Sequence, residues 1–150
     1  MEAVILCGVQ GSGKTTLYRD RFLETHARVS LDLLRTRARE AAFLRTCIET
    51  KMPFVVDNTN PTAAERARYV APAREAGFRL VAILVEVDHA VAAGRNVARE
   101  RTVPAAGLRD VARRLVRPTP EEGFEELLHA TAALDGGWRI EPLLTTPPLF

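Results

Sequence analysis

Residues 8–15 read GVQGSGKT, directly after the apolar run AVILC at 3–7 and directly before a stretch with helical spacing. The pattern is G-x-x-x-x-G-K-[ST] in a strand–loop–helix context, which ties the chain to a P-loop and to an α/β sheet. Gly8, Gly11 and Gly13, with Ser12 among them, let the backbone wrap a phosphate with its N–H groups turned inward. The following helix adds the positive end of its dipole. Lys14 is expected to reach the β- and γ-phosphates. The Thr15 hydroxyl is expected to hold Mg²⁺, with Thr16 behind it on the first turn. Lys14 is one of two lysines beside 19 arginines, as expected if this position resists replacement by Arg. The loop implies binding of a nucleoside triphosphate such as ATP. No N-K-x-D-type guanine reader accompanies it, so a GTPase switch is not expected.

The surrounding pattern agrees with a sheet covered on both faces. Strands are expected at 3–7, 28–32, 53–57, 79–87 and 138–141. Helices are expected at 14–25, 33–51, 62–76, 89–101, 105–116 and 121–134. Alternation of this kind predicts a parallel sheet of about five strands flanked by helices. Asn60-Pro61 reads as a cap and first turn for the third helix, and Gly77 as its stop. With 150 residues, 47% of them hydrophobic and 27% charged, the chain suits a single domain over 1–150. No apolar run approaches the roughly 20 residues a membrane helix needs, and no signal peptide is expected before the loop. Cys7 and Cys47 lack metal-like spacing and read as buried thiols in a reducing cytoplasm.

Two further strand ends carry acids. PFVVDNTNP at 53–61 puts Asp57 where ligands bind in open α/β sheets. Asp57 is placed to hold Mg²⁺, directly or through water, while Asn58 and Asn60 also suit turn and cap positions. RVSLDLLRTR at 28–37 ends a strand on Asp32, with Arg35 three residues on. If that strand neighbours the P-loop strand, Asp32 lies by the γ-phosphate and can take a proton from an attacking hydroxyl. Arg35, one helical turn later, could bind an anion on the acceptor.

Net charge is only +2, but seven arginines fall between 91 and 117, and the five acids of 118–138 face no Lys or Arg there. Arg95 and Arg99 share a helix face at i, i+4. Two guanidinium groups on one face repel each other unless they meet an anion, so 89–117 reads as a lid that closes over the donor phosphates. Arg109, Arg113 and Arg117 form a second row, read as solvated.

Taken together, GVQGSGKTT at 8–16, the D-x-x-R of Asp32 and Arg35, VVDNTNPTAAERARYV at 55–70 and RNVARERTVP at 95–104 resemble the polynucleotide 5′-kinase family of phage, bacterial and mammalian end-healing enzymes. RPTPEEGF at 117–124 is similar to the mammalian type. The resemblance implies a P-loop kinase fold with a helical lid and transfer of the γ-phosphate of ATP to 5′-OH ends of DNA or RNA. It implies Asp32 as general base, Arg35 on the acceptor's first phosphate, Lys14 and Thr15 on donor and metal, and Arg95 and Arg99 as lid residues, with Arg99 catalytic. Asp57 matches the family's strand-end aspartate. The chain departs from the family at Leu31, where many members carry a polar or basic residue. It also lacks a D-x-D-x-T phosphatase signature and a ligase module, so complete end healing would need a separate phosphatase or ligase. Two other readings remain open: a small-molecule or nucleoside kinase, and a nucleotide-binding module without transfer activity.

Overall fold

The computed structural model describes residues 1–87, 105–133 and 136–144. Its strands are β1 (Glu2–Cys7), β2 (Ala27–Val29), β3 (Phe54–Asp57), β4 (Arg79–Val85), β5 (Glu126–Ala132) and β6 (Trp138–Pro142). Its helices are α1 (Lys14–Arg21), α2 (Leu31–Leu34), α3 (Arg37–Glu49), α4 (Ala63–Glu75) and α5 (Ala105–Arg114). The strand order is β2-β3-β1-β4-β5-β6, parallel except for the antiparallel edge strand β6. The central strands are apolar on both faces, as a doubly covered parallel sheet demands. Ala3, Ile5 and Cys7 join Leu44 and Cys47 of α3 and Tyr69, Val70 and Ala73 of α4 on one face. Val4 and Leu6 join Leu17 and Tyr18 of α1 on the other. Both cysteines are buried free thiols, and burial pushes the Cys7 thiol up to about 12.

Three expectations are corrected. The helix expected at 121–134 is a single 3₁₀ turn at Pro120–Glu122 followed by β5. Thr119 and Glu122 close a capping box on that turn, and Gly123 ends it at φ 109°. Beyond it, Leu127 packs toward one core and Leu128 toward the other. Adjacent leucines on opposite faces belong to a strand, but a Leu-Leu-x-Ala run also suits a helix, and pairing to β4 and β6 decides between them. The sheet therefore has six strands rather than about five.

The helix expected at 33–51 is broken. Arg35 takes φ 76° and ends α2. Thr36 then caps α3 by accepting from the Arg39 N–H at 3.1 Å. Asn60 is not the cap of α4. Thr62 is, accepting from the Glu65 N–H at 3.2 Å. Asn60 is instead buried, with Nδ2 donating to the Leu6 carbonyl at 2.7 Å. The helix expected at 89–101 lies outside the described residues.

Candidate active site

The P-loop begins where β1 ends. A side chain at Gly8 would put its Cβ 2.5 Å from the Val85 carbonyl oxygen and 2.9 Å from Ser12 Oγ, so only glycine fits between the two central strands. Gly13 takes φ 104° and starts α1, a backbone state that L side chains rarely adopt. Lys14 is the first residue of α1. Its ammonium donates to the carbonyls of Gly8 at 2.9 Å and Val9 at 2.8 Å. The loop thus holds the cation against its own backbone carbonyls.

Thr15 follows on the same turn. Its hydroxyl donates to Asp57 Oδ2 at 2.8 Å, across from the end of β3. β1 and β3 are parallel neighbours with Leu6 opposite Asp57, so the register itself brings the two oxygens together. A hydroxyl beside a buried carboxylate fits Mg²⁺, which prefers oxygen donors and keeps several of its waters. Thr15 and Asp57 are the residues that would hold it. Arg28 of β2 engages the same two oxygens, with Nε 2.9 Å from Asp57 Oδ2 and Nη2 3.4 Å from Thr15 Oγ1.

Asp32 does not end a strand. β2 stops at Val29, and Asp32 sits in the first turn of α2. Nor does β2 neighbour the P-loop strand, because β3 lies between them. Asp32 nevertheless lines the same cleft of about 530 Å³ as Lys14, Thr15 and Asp57. A side-chain network anchors its turn. The Leu31 N–H donates to Asn58 Oδ1 at 3.0 Å. Asn58 Nδ2 donates to Glu40 Oε2 at 2.9 Å and to the Tyr69 hydroxyl oxygen at 3.0 Å. Tyr69 in turn donates to Glu40 Oε1 at 3.0 Å. Glu40 is 1% exposed, and its buried charge is acceptable because these donors satisfy it. Burial, and then the charge of Glu40, raise the Tyr69 pKa, so the phenol keeps the proton it donates.

Arg37 completes the network from the start of α3. Its Nη1 donates to Glu40 Oε1 at 2.8 Å and to Tyr69 at 3.1 Å. Burial works against the Arg37 charge, but these partners outweigh it and raise its pKa. Arg37 and Arg68 both line the cleft. Arg114 of α5 also reaches it, held by Glu65 and Asp110 at 3.1 Å each.

Of the residues expected from sequence, the cleft unites Lys14, Thr15, Asp32 and Asp57. Gly8, Gly11, Ser12 and Gly13 form the buried loop beneath it. Thr16 is exposed on α1, and Arg35 is exposed just past α2; neither is among the cleft walls. Arg95 and Arg99 lie outside the described residues. Arg109 and Arg113 are exposed, the latter 3.8 Å from Asp110. Arg28, Arg37, Glu40, Arg68 and Tyr69 escaped the sequence reading. Glu40 and Tyr69 look like ordinary helix positions until α3 and α4 meet. The one available signal was Arg28, a charge inside an otherwise apolar strand.

Comparison with known proteins agrees with this fold. A bifunctional polynucleotide phosphatase/kinase of Schizosaccharomyces pombe is 29% identical over 129 residues, covering 82% of this chain and 32% of the relative. A protein of Acanthamoeba polyphaga mimivirus, provisionally given the same name, is 26% identical over 152 residues, covering 94% of this chain and 36% of its own length. The chain thus spans about a third of the curated relatives it matches. Among solved structures, Chaetomium thermophilum Kti12 with ADP-AlF3 superposes at TM-score 0.68 and 16% identity, covering 89% of this chain and 92% of that one. A gluconokinase of Sinorhizobium meliloti superposes at 0.58 and 18% identity, covering 88% and 83%. These likenesses show the fold. No helix among the described residues is long and apolar enough to cross a membrane. A family model described as AAA domain matches residues 34–118, more than half of the chain, and with the P-loop and sheet in place the protein belongs to that family as a P-loop kinase-type member.

Proposed function

We propose that the protein transfers the γ-phosphate of ATP to the 5′-hydroxyl of a DNA or RNA strand. The observation that carries this reading is the shared cleft, in which Asp32 opens onto the same space as Lys14, Thr15 and Asp57. The two named relatives support a nucleic-acid acceptor. Phosphoryl transfer depends mainly on positioning and charge stabilisation. Lys14 and the loop N–H groups hold the donor phosphates. Mg²⁺, when bound, neutralises charge on the phosphate oxygens, and Thr15 and Asp57 are its protein partners. Asp32 orients the 5′-hydroxyl and takes its proton as the oxygen attacks the γ-phosphorus. The bond to the β–γ bridging oxygen breaks, and ADP leaves. Arg35, at the end of the turn that carries Asp32, binds the first acceptor phosphate. Arg95 and Arg99 close on the donor, Arg99 with a catalytic share. A phosphatase or ligase would act as a separate partner in end healing.

The test is transfer of labelled γ-phosphate from ATP to a short 5′-OH oligonucleotide, a nucleoside 3′-phosphate and the matching nucleoside. Labelling of the first two and not the third is expected. Labelling of the nucleoside alone would make this a small-molecule kinase. Tight ATP binding with no labelling would make it a nucleotide-binding module.

A further inference from the structure

A second cavity borders the proposed reaction cleft. A groove of about 570 Å³ runs between α3 and α4, and Arg37 and Arg68 are walls of both spaces. Beyond them its floor is aliphatic, with Leu44, Ile48 and Pro72, and Arg45 stands exposed on its rim. Both bonds of Arg37 to Glu40 and Tyr69 leave from Nη1. Among the described residues the rest of that guanidinium is available to the groove.

We propose that this groove is the track for the acceptor strand downstream of its 5′ nucleotide. The proposal rests on the acceptor being a nucleic acid. A single strand alternates anionic phosphates with apolar base faces, and sites that bind it combine a basic path with a stacking platform that is usually aromatic and here is aliphatic. Here Arg37, Arg68 and Arg45 supply the path, and the aliphatic floor supplies the platform. Arg37 and Arg45 are eight residues apart on α3, or about 12 Å along its axis, which spans about three stacked nucleotides at 3.4 Å each. The floor carries no group that reads base edges, so the track is sequence-tolerant. Glu40 lies at the groove's start, buried and paired with Arg37 Nη1, so Arg37 adds hydrogen-bond donors to the path while Arg68 and Arg45 carry its net charge. Glu49 at the far end is the acid that limits the track.

The experiment compares wild type with R45E on 5′-OH acceptors of one to six nucleotides, the shortest being the nucleoside 3′-phosphate. Binding of a fluorescent 5′-OH hexanucleotide is measured in parallel by anisotropy across a salt series. In the wild type, kcat/KM should rise with length up to about four nucleotides. In R45E that rise should be lost, hexanucleotide binding should weaken about tenfold or more, and the salt slope should fall by about 0.7. Transfer to the nucleoside 3′-phosphate should stay unchanged. A wild type that labels the 3′-phosphate and the hexanucleotide equally well overturns the track and leaves the kinase reading intact. A wild type that labels neither overturns both. If R45E changes only the sedimentation coefficient, the groove is a contact between copies of the chain and the track is wrong.

Discussion

The proposed donor side and the proposed acceptor side of the cleft are built by different means. The donor side is backbone. Three glycines, a helix start and two parallel strands in register fix where Lys14, Thr15 and Asp57 stand. The acceptor side is side chain. Asp32 sits on a four-residue helix that buries none of its own residues; Asn58, just past β3, holds the Leu31 N–H of that helix and is itself held by Glu40 of α3 and Tyr69 of α4. A backbone site of this kind serves any nucleoside triphosphate enzyme, whereas a side-chain site can be retuned without touching the loop. Donor binding and acceptor use should therefore separate under mutation.

The largest separation is expected at Asp32. Asp32→Ala should lower kcat by on the order of 10²–10⁴, the usual contribution of a general base. ATP affinity, measured by calorimetry, should not change. Unchanged kcat would remove Asp32 from the chemistry, and lost ATP affinity would erase the division between the two sides.

Arg35 allows a sharper version. Its φ of 76° is a strained state for any residue with a Cβ, costing about 1–3 kcal/mol. Arg35→Gly should therefore leave the unfolding midpoint unchanged or raise it. The loss of a charged hydrogen bond, about 1.5–3 kcal/mol, should raise the acceptor KM roughly 10- to 150-fold. A raised KM for ATP instead would place Arg35 on the donor.

These two sides were also unequally legible. The P-loop and Asp57 could be read because a local pattern on consecutive residues determines their placement. The order of β2 and β3 could not, since no local signal says which strand lies between two others. A strand running to Asp32 is expected from residues 28–32 alone, yet the chain enters α2 at Leu31, whose N–H is held by Asn58, 27 residues further on. β5 was read as a helix for a similar reason: its partners decide its state, and they are β4 and β6.

A smaller effect is expected at Glu40, which ties the acceptor side together. Glu40→Ala leaves the Tyr69 hydroxyl, Asn58 Nδ2 and Arg37 without their shared acceptor. Each buried polar group left unpaired costs about 1–3 kcal/mol. Urea unfolding should show a loss of at least that size, and acceptor KM should rise while ATP affinity holds. Glu40→Gln, which keeps an acceptor oxygen, should recover part of both. If the glutamine variant is as damaged as the alanine variant, the charge of Glu40 matters and not its hydrogen bonds.

The smallest effect tests whether the two sides meet at Arg28. This residue comes from β2, the strand that leads to Asp32, yet it bonds Asp57 and Thr15 on the donor side. Asp57 has only 3% of its side chain exposed, and Arg28 is its ion-pair partner at 2.9 Å. Removing one member of a buried pair leaves the other charge uncompensated and destabilises the fold. A divalent cation on the same oxygens would restore that compensation. Arg28→Met should thus lower the melting temperature of the nucleotide-free protein, and added Mg²⁺ with ADP should raise it by more than in the wild type, because the metal relieves a carboxylate that has lost its guanidinium partner. Equal increments in the two proteins would mean that guanidinium and metal do not share those oxygens. Arg28 would then be only a strand-to-strand tie, and the donor side would be independent of the strand that carries the acceptor residues.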